Sequence, residues 1–181
     1  MQETEQQFWQ FIEATWASLW RFSLGLTASE DDASDLMSDT VLEAHKSFHT
    51  LRDHQAFTSF LFTIAHRLFM RGRWRRKIFA KLDEAIHVMY EDERESSHDL
   101  SCLLHALSEL PEKQREAILL FEISGLSLEE IRTIQGGSLS AVKQRLSRGR
   151  EALRNKMIDS VELPTPSAAP NDRSFYLVQS T

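Results

Sequence analysis

Cysteine, proline, glycine and long apolar runs are all scarce in this 181-residue chain, and each shortage excludes a class of protein. The single cysteine, Cys102, cannot form an internal disulfide and fits a reducing compartment. Six glycines and four prolines are few, and apolar residues recur at helical spacing, so we expect an all-α fold. No apolar stretch is long enough to span a bilayer, and no signal peptide is visible, so we expect a cytoplasmic protein with no membrane insertion.

Sequence patterns that carry catalysis are also missing. The chain has no glycine-rich phosphate loop and no cysteine–histidine spacing typical of a metal site. His45 and His49 are four residues apart on a predicted helix, but no further ligand is near them in sequence. We therefore predict that the chain is not an enzyme and that it needs no metal or other cofactor.

Basic residues are concentrated in two windows of a chain whose net charge is −6. Residues 66–81 contain seven Lys or Arg and no acidic residue, and residues 143–156 contain six with one acidic residue. Two basic patches on an acidic body predict two contacts with DNA and weak non-specific binding by the free protein. Such a molecule is expected to need another protein to deliver it to DNA.

Residues 126–156 have the pattern of a helix-turn-helix. Ser127 and Glu130 have capping-box spacing at the start of a short helix, and Gly136-Gly137 permits the turn. The next helix would bury a narrow apolar face and project its other side into a major groove. The candidate groove-facing side chains are Ser138, Ser140, Lys143, Gln144, Arg145, Ser147 and Arg148. The alternative is a solvated basic helix in an ordinary helical bundle. It explains less well why the helix caps, the glycine turn and the placement of basic residues all fit a helix-turn-helix.

Two amphipathic helices are predicted in the first part of the chain, over residues 4–26 and 29–48. We expect most aromatic side chains of the first helix to lie in the core. A second stripe on this helix consists of Trp9, Trp16 and Trp20. We expect this stripe to be core as well, although it could instead contact a partner protein. The second helix has an acidic stripe that consists of Asp32, Asp35, Asp39 and Glu43. From composition alone, a solvated face and a partner surface are equally compatible with this stripe.

A third helix is predicted from Gln55 to about Lys81, and its core face is predicted to consist of Phe57, Phe60, Leu61, Ile64, Ala65 and Leu68. Away from its core face, aromatic and basic side chains alternate at Phe62, His66, Phe69 and Arg73. Exposed rings beside arginines can stack on unpaired bases, although packing of these rings against the first helix is an equal alternative. The helix ends in RGRWRRK, a basic segment without acidic residues that favours phosphate binding.

These segments divide the chain into four parts. We predict a first helical domain at 1–81, an acidic flexible linker at 82–100, a second helical domain at 101–158 and a flexible tail at 159–181. The linker contains seven acidic residues and one arginine, so it could shield the basic patches in the free protein.

Two groups of motifs resemble bacterial sigma factors of the extracytoplasmic-function group. Asp32–Thr40 (DASDLMSDT) and Phe60–Ala65 (FLFTIA), followed by the arginine cluster, are similar to the second conserved region of the family. Leu110–Ile118 (LPEKQREAI) and Gly125–Ile131 (GLSLEEI) are similar to the fourth region, as are VKQRL and RGR further along. The resemblance covers residues 5–81 and 101–157.

The resemblance implies a sigma factor that binds core RNA polymerase and directs promoter recognition, DNA melting and transcription initiation. The acidic helix would dock on the clamp helices of the largest polymerase subunit, and the second domain would also rest on the polymerase flap. An anti-sigma factor is a further expected partner. The implied polymerase contacts are Asp32, Asp35, Leu36, Asp39 and Thr40.

The resemblance also assigns each basic patch to a promoter element. The third helix and the loop before it would open the minus-ten element and hold a flipped base, and the second helix of the helix-turn-helix would read the minus-thirty-five element. The implied minus-ten side chains are Phe62, His66, Arg67, Phe69, Arg71, Arg73, Trp74, Arg75 and Arg76. Arg67 and Arg71 depart from the Asn and Asp common in relatives, and Gly149 stands where alanine is common.

Two other functions fit parts of the sequence. A stand-alone helix-turn-helix regulator would have to bind DNA without polymerase, which a net charge of −6 disfavours. A sigma mimic that captures an anti-sigma factor would have no need of Phe62, Phe69 and the arginines at 71–77 on a surface that faces DNA. We therefore favour a promoter-specificity subunit.

Overall fold

The protein is described here from a computed structural model that covers residues 2–80 and 98–161, with side chains described for 5–72 and 99–158. Over these ranges the chain is helical and contains no strand, which confirms the all-α prediction. The helices are α1 (Gln2–Thr27), α2 (Glu30–Ser47), α3 (Phe57–Ala80), α4 (His98–Ser108), α5 (Glu112–Ile118), α6 (Leu128–Gln135) and α7 (Leu139–Val161). A π-helical turn at Leu119–Ile123 continues α5, and two short 3-10 turns lie between α2 and α3.

Helices α1, α2 and α3 form the first module around a cluster of aromatic rings. The ring of Phe8 lies 5.2 Å from that of Phe48 and 6.0 Å from that of Phe57, both in edge-on contact. Phe11 stacks on Phe57 at 5.0 Å. Such pairs stabilise a core beyond the area that they bury. Ser29 caps α2 by accepting from the N–H of Asp32, as its spacing predicts.

The tryptophan stripe of α1 differs from the expectation. Trp20 packs partly buried against the core, whereas Trp9 and Trp16 remain 49% and 52% exposed. Trp9 stacks on His45 of α2 at 6.1 Å. The core assignment is therefore wrong for Trp9 and Trp16, because α1 has only one face turned toward α2 and α3 and these indoles lie outside it.

Helices α4 to α7 form the second module. Ile131 and Val142 are fully buried and join the two helices of the predicted helix-turn-helix. The capping box is present: Oγ of Ser127 accepts from the N–H of Glu130, and the carboxylate of Glu130 accepts from the N–H of Ser127. Gly136 and Gly137 have φ of 72° and 95°, a conformation that favours glycine.

The predicted boundaries lie close to helix ends. α4 begins at His98, so the last three residues of the segment predicted as a linker are helical. α7 continues to Val161, three residues into the predicted tail. The rest of the predicted linker and tail, residues 81–97 and 162–181, lies outside the described residues.

The two modules pack against each other and share one hydrophobic core. α1 contacts α4, α5 and the π-helical turn, while α3 contacts α6. The closest approach joins Gly25 of α1 to Leu119, where an added Cβ would lie 2.6 Å from the leucine Cδ2. The sequence predicts two modules but gives no sign of this contact.

Removal of the capping hydroxyl should destabilise the second module. We expect Ser127→Ala to lower the free energy of unfolding by about 1 kcal/mol, because two reciprocal hydrogen bonds at the start of α6 depend on that residue. Urea denaturation followed by circular dichroism measures the loss. Ser140→Ala, an exposed serine in the first turn of α7, is the matched control, and an equal loss in both variants would contradict the capping role.

Candidate nucleic-acid interface

One side of α7 is an open, polar and basic surface. Six of the seven side chains predicted to face a major groove are exposed, and they are Ser138, Ser140, Lys143, Gln144, Ser147 and Arg148. No acidic residue occurs between positions 138 and 150. The buried side of the same helix carries Val142, Leu146 and Gly149. The helix therefore presents donors and positive charge to solvent while its apolar side holds it on the module.

Ser138 and Arg145 also hold the turn of the helix-turn-helix. Oγ of Ser138 accepts from the N–H of Ala141 at 3.2 Å and so caps α7. Nη1 of Arg145 donates to the carbonyl of Gly136 and to Oε1 of Gln135, both at 3.2 Å. Arg145 is thus partly buried and engaged within the protein, which distinguishes it from its exposed neighbours.

Gly149 has a packing role that its helix propensity does not reveal. A Cβ at this position would lie 2.9 Å from Cδ1 of Ile118, so the glycine lets α7 approach α5 closely. Next to it, Arg150 donates from Nε to Glu122 at 2.8 Å and lies over the ring of Phe121. These contacts fasten the C-terminal half of α7 to the rest of the module.

The aromatic side chains predicted to face DNA on α3 are buried. Phe62 is 0% exposed and its ring meets that of Phe22 edge-on at 5.1 Å, and Phe69 is also buried. The prediction that these rings are exposed is therefore wrong in this conformation, and the alternative, packing against α1, is confirmed for Phe62. The helix has apolar residues on several sides because it lies between α1, α2 and α6.

His66 lies at the contact between the modules rather than on an open surface. Its Nδ1 is 3.6 Å from Oε2 of Glu116, which is buried on α5. Burial lowers the pKa of His66 below its ordinary value. The positive charge of Lys113 lowers this pKa a little further, and the negative charge of Glu112 opposes both effects. The imidazole is therefore neutral in the folded chain near neutral pH.

His66 should make folding sensitive to mild acid. Burial lowers the pKa of His66 in the folded chain below its value in the unfolded chain. As the pH drops from 7 to 5, the unfolded chain therefore takes up a proton at His66 more readily than the folded chain does. The free energy of unfolding should decrease over this range as the pH drops. We expect His66→Asn to flatten this part of the profile, as measured by urea denaturation at several pH values. His49→Asn, at an exposed position, is the control. An unchanged slope in His66→Asn would contradict the assignment.

The basic residues of α3 are only partly described. Arg67 and Arg71 are exposed, and Arg67 lies 3.8 Å from Glu43 of α2. The backbone of Arg73, Trp74, Arg75 and Arg76 lies in α3, but their side chains are outside the described residues. Their role in phosphate binding stays a prediction.

A cleft next to Arg67 was missed by the sequence analysis. It has a volume of about 530 Å³ and lies where the end of α2 and the turns after it meet α3. Half-buried Phe60 supplies a ring, and Glu43 also lines the cleft beside Arg67. Four hydroxyl side chains line it too, of which three donate to backbone carbonyls and so offer the cleft acceptors; the four are Ser47, Thr50, Ser59 and Thr63. Periodicity assigns Phe60 to the core, so the sequence signal for the cleft was the set of hydroxyl residues in and around the 48–56 segment.

The acidic stripe of α2 is at the surface, but two predicted contact residues are not. Asp35 and Asp39 are exposed, and Asp32 is partly exposed. Leu36 is buried, and Thr40 is fully buried with its hydroxyl donating to the carbonyl of Leu36 at 2.6 Å. The assignment of Leu36 and Thr40 as polymerase contacts is therefore corrected: they face the core and support the stripe from behind.

Comparison with known families assigns both modules. The family model described as Sigma-70 region 2 matches residues 11–77, and that described as Sigma-70, region 4 matches residues 100–153. The first match contains the acidic stripe, the cleft and most of α3, and the second contains the helix-turn-helix. The fold and the two surfaces thus define a two-region sigma factor.

Individual relatives agree with this class. RNA polymerase sigma factor SigV of Bacillus subtilis is 30% identical over 138 residues, which cover 75% of this chain and 81% of the relative. ECF RNA polymerase sigma factor EcfG of Rhodopseudomonas palustris is 28% identical over 155 residues, 78% of this chain and 80% of the relative. The structure of sigma factor RpoE from Bartonella quintana, solved with anti-sigma factor NepR, matches with a TM-score of 0.74 and 27% identity over 83% of this chain and 96% of that one. The chain belongs to the RNA polymerase sigma factor family, in the extracytoplasmic-function (ECF) group.

Membership fixes the general function. The chain is a sigma factor that binds RNA polymerase and promoter DNA and directs the initiation of transcription. Among the described helices, none is long and apolar enough to cross a membrane.

Proposed function

We propose that this sigma factor docks on core polymerase through the acidic stripe of α2, holds an unpaired base of the minus-ten element in the cleft beside α3, and reads the minus-thirty-five element with α7. The observation that carries the proposal is the exposed face of α7, where polar and basic side chains occur without an acidic residue between positions 138 and 150. Each step rests on a separate surface of the chain and can be tested separately.

Reading of the minus-thirty-five element is supported by the chemistry of two exposed side chains. An arginine such as Arg148 makes paired hydrogen bonds to guanine, and a glutamine such as Gln144 does so to adenine, both in the major groove. Lys143 and the hydroxyls of Ser140 and Ser147 are available to phosphates on either side. The capped turn at Gly136-Gly137 fixes the angle between α6 and α7, so that one helix supports the other.

Binding of the minus-ten element is supported by the cleft of about 530 Å³. A base taken out of a duplex needs a ring to stack on and hydrogen-bond partners for its edge. Phe60 provides the ring, while Ser59 and Thr63 provide the partners. Arg67 lines the same cleft, next to the exposed Arg71, where both can bind the phosphates of the separated strand. This role replaces the one expected for Phe62.

Docking on polymerase is supported by the exposure of Asp35 and Asp39 on a helix whose inner side is firmly packed. Carboxylates one helical turn apart repel each other, which costs a few tenths of a kcal/mol, so a basic partner surface would relieve the repulsion. The clamp helices of the largest subunit are the proposed site, with the flap as a second contact for the α4–α7 module.

Regulation by an anti-sigma factor is a further part of the proposal. RpoE of Bartonella quintana, which has the same two-module fold, was solved in a complex with the anti-sigma factor NepR. We expect this chain to be held inactive in the cytoplasm by a protein of that kind until a signal releases it. The chain itself contributes no bond-forming chemistry to initiation.

The decisive experiment is transcription with purified components. Core polymerase and this chain are incubated with genomic DNA, and the 5′ ends of the transcripts are sequenced. We expect a limited set of start sites that share two upstream elements and that are absent when either protein is omitted. A stand-alone regulator would bind promoters without polymerase, and a sigma mimic would yield no transcripts, so either result would overturn the proposal.

A further inference from the structure

The hydroxyl groups that line the cleft beside Arg67 face it mainly as hydrogen-bond acceptors. Three of them donate to the carbonyl of a residue three or four positions earlier, at 2.6 to 2.7 Å, and they belong to Ser47, Thr50 and Thr63. A hydroxyl has a single hydrogen, so an oxygen that donates within the protein has only lone pairs left for a molecule in the cleft. This side of the cleft therefore favours a ligand that is rich in N–H donors.

A carboxylate and a guanidinium lie together in the same cleft. Oε1 of Glu43 on α2 is 3.8 Å from Nη2 of Arg67 on α3, and the two side chains are 42% and 60% exposed. An ion pair as exposed as this one contributes little to stability, so both groups can turn toward a ligand at small cost. The cleft thus offers a charged acceptor next to a charged donor.

The position of Glu43 is informative because a carboxylate repels DNA phosphates. Among the described residues that line the cleft, Glu43 alone is acidic. A negative charge in a site that holds one strand of DNA weakens binding unless the carboxylate accepts hydrogen bonds from a base. Charge-assisted bonds of this kind are stronger than those between neutral groups, so they offset the repulsion and make binding depend on the identity of the base.

The DNA bases differ in the donors that they offer to such a cleft. Guanine has N–H groups at both N1 and N2 of its pairing edge, whereas adenine, cytosine and thymine each have them at one nitrogen only. Guanine also binds arginine through O6 and N7, with paired hydrogen bonds. We infer that the unpaired base in this cleft is guanine: N1 and N2 donate to Glu43 and to the hydroxyls, O6 and N7 accept from Arg67, and the ring stacks on Phe60.

Cytosine is the strongest competitor, because its N4 amino group can donate to Glu43 and its N3 can accept from Arg67. It has no second donor nitrogen for the hydroxyls, and its single ring covers less of Phe60. Polar groups that lose water without gaining a partner reduce affinity. Guanine is therefore bound more tightly than cytosine.

This inference rests on the proposed function and is tested with holoenzyme, that is, core polymerase with the full-length chain. The probe is promoter DNA from a start site identified by transcript sequencing, with a mismatched bubble over the minus-ten element so that melting does not limit binding. Each position of the non-template strand in the bubble carries adenine, cytosine, guanine or thymine in turn. We expect one position at which guanine is bound at least about tenfold more tightly than any other base.

Base analogues at that position identify the side chains that read it. Hypoxanthine lacks the N2 amino group of guanine, so it should weaken binding by the unmodified chain at least about fivefold. This penalty should disappear in Glu43→Ala, while Glu13→Ala, at an exposed position of α1, should keep it. The penalty for 7-deazaguanine, which lacks N7, should likewise disappear in Arg67→Ala. Each penalty is a ratio measured with one protein, so it does not depend on the fraction that is folded.

The other outcomes separate failure of this inference from failure of the proposed function. Preference for cytosine, or the same affinity for every base at every position, would show that the cleft does not select guanine. A penalty that persists unchanged in the corresponding variant would overturn the assigned contacts. Holoenzyme that binds none of these DNAs would instead contradict the proposed function.

Discussion

Charge reversal at Asp35 and Asp39 is expected to abolish tight binding to core polymerase. Both carboxylates are exposed on α2, and we propose that they face a basic surface. Like charges placed together across an interface cost several kcal/mol, so Asp35→Arg with Asp39→Arg should weaken binding by at least about 100-fold. Titration of core polymerase with fluorescently labelled chain measures the change.

The double variant should fold normally, which makes the result interpretable. An arginine at position 35 would lie one turn from Asp31, and one at position 39 would lie one turn from Glu43, so two of the three repulsive pairs along the helix become attractive. Glu5→Arg with Glu13→Arg makes the same change of charge at exposed positions of α1. Equal loss of affinity in both double variants would show that total charge, not the α2 stripe, controls docking.

The helix-turn-helix could be predicted almost residue by residue, because its signals are local. The capping box at Ser127 and Glu130, the glycines at the turn and the cap at Ser138 each act within a few residues, and all are present. The acidic stripe of α2 was equally accessible, since a helical period of 3.6 places Asp35 and Asp39 on one face.

The faces of α3 could not be predicted, because periodicity does not identify the neighbours of a helix. Phe62 and Phe69 have the spacing of an exposed line, yet α1 and the second module lie around α3 and the rings are buried. Phe60, assigned to the core by the same reasoning, is only partly buried and lines a cleft. A helix in contact with several elements has apolar residues on more than one side, so a single amphipathic face is a poor guide to its free surface.

The contact between the modules has no local signal at all. Gly25 and Leu119 are separated by about half of the chain, and a glycine near the end of a helix normally indicates a cap rather than a packing site. The polar sequence EKQRE at residues 112–116 predicts that Glu116 is exposed to solvent, although it is buried in the folded chain. These features depend on tertiary structure, because only packing between distant segments buries a charged residue such as Glu116.

Removal of the two proposed base-reading side chains of α7 should abolish promoter selection without affecting polymerase binding. Gln144 and Arg148 are exposed and lie one helical turn apart on α7 of the second module, whereas the acidic stripe lies on α2 of the first. Each well-formed contact with a base contributes about 1–3 kcal/mol, so Gln144→Ala with Arg148→Ala should reduce promoter-directed initiation by at least about 30-fold. Transcription in vitro from a start site identified with the unmodified chain measures the loss.

The matched control lies further along the same helix. Arg154→Ala with Asn155→Ala removes one positive charge and one amide from exposed positions about two turns beyond the proposed reading face. If α7 enters the major groove with its N-terminal half, this control should retain most of its activity, since recognition helices contact base edges through their first turns. A loss as large as that of Gln144→Ala with Arg148→Ala would mean that α7 contributes only general positive charge. In that case the salt dependence of promoter binding would change equally in the two variants, and base reading would have to be assigned to another part of the chain.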